Sequence, residues 1–317
     1  MARTLRSAGA VQKVAIRLSD VVKSSYVEDP ANVYLKRPLQ LLLTRLALKT
    51  SLTPNQVTVL ALFAGLGAAG CMIAGSRGAL LAGAFLLYSS ALLDGVDGML
   101  ARVRKTSSET GHALDGAADY LVNLATTAAA AWHVAERTGT TVFPVALAAG
   151  AHIAWAHHVM LYDFQCATYL RFAKGGSHTG GDEERAAEIL RRAETSGMSL
   201  PWRLLMRAYV WQLGNRRRLI ARIDPAGLEC AALAPQGAHA SRYVAAQRKT
   251  MKLWALLSNS PHIDLLTLAV ATDQLAAYLL LRVFGFSALA ALLTLRARRL
   301  NRRLIADLSP EVEVAAA

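Results

Sequence analysis

Long apolar runs separated by short polar connections dominate this chain. Six of these runs approach the roughly 20 residues that a helix needs to cross the hydrocarbon core of a bilayer. We therefore predict an all-α, polytopic membrane protein. Its six transmembrane helices are expected over residues 55–76, 79–104, 110–136, 141–170, 261–281 and 284–304.

The basic residues predict the orientation of these helices, because Lys and Arg concentrate in cytoplasmic connections. They cluster before the first helix, after the second, after the fourth and at the end of the sixth. The alternate connections contain only Arg77, Arg137 and Arg282. We expect both termini and the connection between the second and third helices to be cytoplasmic, in the inner membrane of a bacterium.

The remaining segments complete the predicted organisation. Before the first membrane helix, leucines recur at helical spacing opposite a polar face, which suits a helix lying in the headgroup region. These leucines are Leu35, Leu39, Leu42 and Leu46. We predict a cytoplasmic tail (1–30), an interfacial amphipathic helix (31–50), transmembrane helices one to four (51–172), a cytoplasmic helical insertion (173–260), the last two transmembrane helices (261–304) and a second tail (305–317).

The composition agrees with a membrane protein and narrows its partners. Apolar residues make up 54% of the chain and charged residues only 18%. The net charge of +13 would suit nucleic acid, but the basic residues lie at the ends of apolar runs, where they face anionic lipid head groups. We therefore predict membrane lipids, and no nucleic acid, as partners. Three cysteines without CxxC spacing indicate neither a disulfide framework nor a zinc site.

Polar residues interrupt the second and third apolar runs within residues 94–119. Residues three and four positions apart share one face of a helix, so these polar and small residues form two stripes. The first stripe contains Asp94, Asp97, Gly98 and Ala101, and the second contains Gly111, Asp115 and Asp119. Because a short connection makes the two helices antiparallel, the stripes can face each other and gather four carboxylates around a small volume.

Four carboxylates beside a bilayer need compensation, and Arg102 is the one cation among them. About three negative charges remain, which points to bound divalent metal. Oxygen ligands suit Mg²⁺ or Mn²⁺, and two such ions would stabilise the attacking and leaving oxygens of a phosphoryl displacement. The small residues of the stripes would let a flat ligand approach closely. Arg102 can hold a diphosphate through a forked contact.

The spacing Asp-x2-Asp-Gly-x2-Ala-Arg-x8-Gly-x3-Asp-x3-Asp over residues 94–119 resembles the signature of the CDP-alcohol phosphotransferases. LTPNQVT at 52–58 is similar to that family's entry to the first membrane helix. The resemblance implies a fold of six membrane helices with an N-terminal interfacial helix, usually in a homodimer. It also implies two divalent ions.

The same resemblance implies roles for individual residues. Asp94, Asp97 and Asp115 would be metal ligands. Asp119 would be metal-linked and would act, beside Asp115, as the general base on the acceptor hydroxyl. The CDP moiety would be held by Gly98, Ala101, Arg102 and Gly111, with Asn55 and Thr58 at the edge of the cytidine pocket.

The reaction implied is metal-dependent transfer of a substituted phosphate from a CDP-linked donor to an alcohol acceptor, with release of CMP, in phospholipid head-group synthesis. CDP-diacylglycerol is the donor expected first, and a CDP-polyol or CDP-aminoalcohol, such as CDP-inositol, is the alternative. Relatives that accept an inositol phosphate often carry Arg directly after the last motif Asp, where this chain has Tyr120. The acceptor therefore stays open.

Two further possibilities come from the residues themselves. A divalent-cation transporter would use the same carboxylates, but the helices turn apolar or small beyond Asp94 and Asp119, which indicates a one-sided site. Polar residues in the fourth predicted helix would suit either an acceptor pocket or hydrogen bonds between helices. They are His152, His157, His158 and Asp163.

Overall fold

The computed structural model describes residues 26–175, 182–195, 199–234 and 237–315, and this part of the chain is built from helices with no strand. The predicted cytoplasmic tail therefore lies outside the described residues up to position 25. The helices are α1 (Arg37–Ala47), α2 (Pro54–Ala74), α3 (Arg77–Arg104), α4 (Glu109–Thr138), α5 (Val142–Lys174), α6 (Asp182–Thr195), α7 (Leu200–Ile223), α8 (Pro225–Ala232), α9 (Ala238–Trp254), α10 (Asn259–Thr272), α11 (Leu275–Leu280) and α12 (Phe286–Ala315).

Four helices of the described chain are long and apolar enough to cross a membrane: α2, α3, α5 and the continuous stretch Leu275–Asp307. The described part of the chain is thus helical, and its long apolar helices fit an integral, multi-pass membrane protein. α4 has sufficient length, with 30 residues, but it carries the acids of the second stripe. α10 has 14 residues, about 21 Å of helix, which is short of a hydrocarbon core of roughly 30 Å. The count of six spans stays a prediction.

The predicted boundary between the fifth and sixth membrane helices is wrong. The chain breaks at Asp273, which has a positive φ of 60°, and then runs on without a connection at 281–284. A π-helical turn, Leu281–Gly285, joins α11 to α12 there. Arg282 is fully buried inside this helix and is no connection residue. The break lies at Asp273 because His133 and Arg137 of α4 hold its carboxylate, at 2.7 and 2.5 Å.

Within the segment predicted as an N-terminal interfacial helix, 31–50, a π-helical turn (Asn32–Lys36) leads into α1 (Arg37–Ala47). Its apolar face is exposed over Leu35, Leu39, Leu42 and Leu46, and its other face packs against α3. Such an exposed leucine face is what a helix in the headgroup region presents. Its contact with a membrane surface stays a prediction.

Local chemistry fixes where the site-bearing helices begin. Thr53 and Gln56 form a reciprocal capping box at the start of α2, with Pro54 in the first turn. This pairing satisfies two backbone N–H groups that the first turn leaves open. Ser76 caps α3, and Ser108 caps α4 through a 3.0 Å hydrogen bond from the Gly111 N–H. These caps fix where α3 and α4 begin, and so they fix the position of each polar stripe along its helix.

α2 is the helix that connects the two stripes, because it packs against both α3 and α4. Close contact with α4 depends on Gly65, where an added Cβ would lie 2.5 Å from a methyl carbon of Val122. On its other side, the Ser90 hydroxyl of α3 donates to the Ala61 carbonyl at 2.7 Å. The carboxylates of the stripes meet beside this packed centre.

Candidate active site

Three of the four predicted acids come together between α3 and α4. One carboxylate oxygen each from Asp94, Asp97 and Asp115 lies within 4.8 Å of the other two. Asp97 is buried, and the other two are half-buried. The helical spacing of the stripes explains this cluster, because it turns both acids of α3 toward the α4 stripe.

Asp97 receives its main support from a different helix. The Thr58 hydroxyl of α2 is buried and donates to the Asp97 carboxylate at 2.5 Å. The sequence prediction put Thr58 at the edge of a cytidine pocket. The structure adds a contact of its hydroxyl with an acid of the cluster, and its place beside the cytidine stays a prediction.

Asp119 stands apart from the three clustered acids, one turn further along α4. It lines a narrow cavity together with Asp94, and the walls of this cavity come from α2, α3, α4 and α10. Asn259, at the start of α10, donates from Nδ2 to Asp119 Oδ2 at 2.9 Å. Asp119 is therefore held at the edge of the acidic cluster rather than within it.

The residues predicted to hold CDP lie around the open end of the cluster. A Cβ at Gly98 would stand 3.5 Å from the guanidinium of Arg102, and Arg102 itself is exposed and lies near Asp97. A Cβ at Gly111 would lie 3.8 Å from Asn55 Oδ1 of α2. Ala101 is half-buried on the same face of α3. Gly98 is thus close to Arg102, and Gly111 is close to Asn55, but the role of these residues in holding CDP stays a prediction.

Two cations near the acids escaped the sequence analysis. Lys36, at the end of the turn before α1, and Arg37, the first residue of α1, interact electrostatically with Asp94. Each brings its own acid, since Lys36 bonds to Asp264 at 2.9 Å and Arg37 to Glu28 at 2.8 Å. Because both cations are already paired with other acids, the acidic cluster keeps its excess of negative charge. In the sequence analysis, basic residues before the first membrane helix served only to predict the orientation of the helices in the membrane. No spacing rule links Lys36 and Arg37 to a motif that lies more than 50 positions away.

Three histidines of α5 contact neighbouring helices or their own backbone. His152 contacts Asn123 at 3.1 Å and packs edge-on against Tyr120. His158 contacts Ser287 and stacks on His262, whereas His157 is exposed and bonds to a carbonyl of its own helix. These contacts are mostly those of packed helices.

The acidic cluster fits divalent metal. Two oxygens bound to one Mg²⁺ at about 2.1 Å each stand at most about 4.2 Å apart. The 4.8 Å grouping of Asp94, Asp97 and Asp115 reaches that limit with small side-chain rotations. A set made only of carboxylates also matches the preference of Mg²⁺ and Mn²⁺ for hard oxygen ligands.

The fold and the site define a helical membrane protein with an acidic cluster suited to metal-assisted phosphoryl chemistry. Residues 51–175 match the family model of CDP-alcohol phosphatidyltransferase. This match confirms the family resemblance of the motif, and the family consists of transferases of substituted phosphate groups that generally depend on divalent metal. Among curated proteins, none matches the chain at a significant level.

Proposed function

We propose that this chain transfers a substituted phosphate from a CDP-linked donor, CDP-diacylglycerol, to an alcohol acceptor, with release of CMP. The observation that carries the proposal is the meeting of Asp94, Asp97 and Asp115 within 4.8 Å, inside the segment that matches the family model. A purely structural cluster of three acids would raise the free energy of the fold without compensation.

Asp94, Asp97 and Asp115 would hold two divalent ions, Mg²⁺ or Mn²⁺, with Asp119 linked to one of them. When bound, such ions neutralise charge on a diphosphate and on the departing CMP. Thr58 keeps Asp97 turned toward this position through its hydrogen bond. Two of the ligands come from α3 and one from α4, so the spacing of these helices determines whether the set is complete.

The CDP part of the donor would lie over Gly98 and Ala101. There Arg102 offers a forked set of N–H donors to the diphosphate, and Asn55 and Gly111 border the cytidine.

An alcohol is a poor nucleophile at neutral pH, so a carboxylate placed to accept its proton speeds the attack. In our proposal this carboxylate is Asp119. The acceptor oxygen forms a bond to the β-phosphorus, the bond from that phosphorus to the CMP oxygen breaks, and the proton passes to Asp119.

The setting of the site favours a lipid as one of the two substrates. Asp94 and Asp97 lie in a helix that carries a long apolar segment, while Arg102 and Asn55 are exposed. A site at the membrane interface lets a water-soluble group meet a lipid. We propose further that both termini and this site face the cytoplasm and that the protein acts as a homodimer.

The direct test is CMP release by the purified protein in vesicles that contain CDP-diacylglycerol, with a panel of alcohols and with product mass as a second readout. We expect release only with Mg²⁺ or Mn²⁺, and its loss on chelation. Asp119→Asn should retain CDP binding and lose transfer. CMP release without divalent metal would contradict the proposal. CMP release from CDP-inositol but not from CDP-diacylglycerol would show that the donor is CDP-inositol.

A further inference from the structure

The side chain of Asn259 connects the proposed base to a tryptophan on a third helix. Its Nδ2 lies 2.9 Å from Asp119 Oδ2 on α4, and its Oδ1 accepts a 3.1 Å hydrogen bond from Trp155 Nε1 on α5. Asn259 lies 140 positions after Asp119 and outside the segment matched by the family model.

The tryptophan determines which way the amide points. An indole N–H only donates, so the group facing it must accept, and the carbonyl end of Asn259 is the end that accepts. The NH₂ end is then directed at Asp119. With its orientation assigned in this way, the amide offers Asp119 a donor and never an acceptor. Oδ2 of Asp119 is thus engaged by Asn259, and Asp119 lines the same narrow cavity as Asp94.

The backbone around Asn259 is fixed by its neighbours. Ser260 donates to Asp29 at 2.9 Å and accepts from Lys36 at 2.5 Å, and Lys36 also bonds to Asp264 one turn later. The N-terminal segment thus ties down the first turn of α10. The amide of Asn259 is therefore constrained by both its backbone and its tryptophan partner.

We propose that Asn259, oriented by Trp155, is a positioning residue that directs the reactive oxygen of Asp119 toward the acceptor hydroxyl. The inference rests on the proposed function, because it assigns Asp119 the role of base. The hydrogen bonds described for Asn259 go to Asp119 and Trp155, and not to Arg102 or Asn55, which we propose hold the CDP donor. Its loss should therefore lower kcat and leave the KM for the CDP donor unchanged.

The test compares three variants in the CMP-release assay. Asn259→Asp keeps the shape and the acceptor for Trp155 but removes the donor to Asp119, and Asn259→Ala removes both contacts. We expect each to lower kcat by about 10- to 100-fold, the range for a misplaced catalytic group, with donor KM within about twofold. Trp155→Phe keeps an aromatic ring but frees the amide to turn, so a smaller loss of kcat is expected.

Asn301→Ala is the matched control, because Asn301 makes the same kind of contact away from the site, from Nδ2 to Asp224 Oδ2 at 2.7 Å. It should lower the melting temperature in detergent and leave kcat at the wild-type value. Wild-type kcat in Asn259→Asp, or a loss confined to KM, would overturn the inference while the proposed function stands. A wild-type protein that releases no CMP would overturn both.

Discussion

At the scale of single residues, the site is organised by side chains that connect different helices. Thr58 of α2 holds Asp97 of α3, and Asn259 of α10 holds Asp119 of α4. The spacing of the motif predicts which acids share a helix face, and three of them do meet. Spacing contains no information on partners from distant segments, which is why the contact of Thr58 with Asp97 was not predicted and Asn259 was missed.

Arg102 should contribute to donor affinity more than to folding, because it is exposed and hydrogen bonds to a charged group contribute about 1.5–3 kcal/mol. Arg102→Ala should weaken binding of a CDP-linked donor by about tenfold or more, measured by calorimetry on the purified protein. Arg102→Lys should recover only part of that affinity, since it keeps the charge but loses the fork.

Arg104 supplies the control for this prediction. It lies two positions further along α3 and donates to the carbonyls of Leu52, Ala47 and Thr50. Arg104→Ala should therefore reduce thermal stability and leave the dissociation constant for the donor unchanged. If Arg102→Ala bound the donor as tightly as the wild type, Arg102 would have no place in the site.

At the scale of elements, helix starts follow from local chemistry, whereas breaks do not. The capping residues of α2 and its apolar run place that helix within two residues of the prediction, Pro54–Ala74 against 55–76. The break at Asp273 depends on His133 and Arg137, which are about 140 and 136 positions away. The hydropathy of the sequence from 275 onward gives no sign of the break at Asp273, so the bounds of the last two predicted helices were wrong.

The docking of α1 on α3 depends on a glycine inside the motif. A Cβ at Gly95 would lie 2.0 Å from Nε2 of Gln40, which is buried and donates to the Ala91 carbonyl at 3.3 Å while accepting from Arg37 at 3.2 Å. Gly95 therefore has a packing role beside its position between two metal-binding candidates.

Gly95→Ala should lower both the melting temperature and the activity. The gain in helix propensity is about 1 kcal/mol, but the Gln40 amide must leave its partners, and a buried polar group without partners costs about 1–3 kcal/mol. Gly70→Ala on α2 is the control, because nothing lies within 4 Å of its added Cβ. A Gly95→Ala protein as stable as Gly70→Ala would show that α1 is not held through Gln40.

At the scale of the whole molecule, two apolar clusters follow one another along shared helices. The first is formed mainly by α2, α3, α4 and α10, and the second mainly by α9 and α12 together with parts of α7 and α8. α5 contributes to both and is about 50 Å long, from its 33 residues at 1.5 Å each. The helical insertion is thus packed mainly on α5 and α12.

Composition and apolar runs predict a multi-pass helical protein, because membrane insertion leaves a strong signal in hydropathy. The arrangement of the insertion could not be predicted, since its helices pack through residues that have no fixed spacing relative to the motif. Cys230 and Asn301 meet in this way, with the thiol donating to the Asn301 carbonyl at 3.6 Å. The sequence between 173 and 260 indicated helices, but not the partner on which they pack.

The most direct test of the account is a Mn²⁺ titration of the purified protein, followed by electron paramagnetic resonance. We predict that the wild type binds two ions, and that Asp94→Asn and Asp115→Asn each lose at least one while their melting temperatures stay at or above that of the wild type, since each substitution relieves repulsion among the clustered acids. Equal Mn²⁺ binding by the wild type and both variants would contradict the claim that α3 and α4 share a metal site.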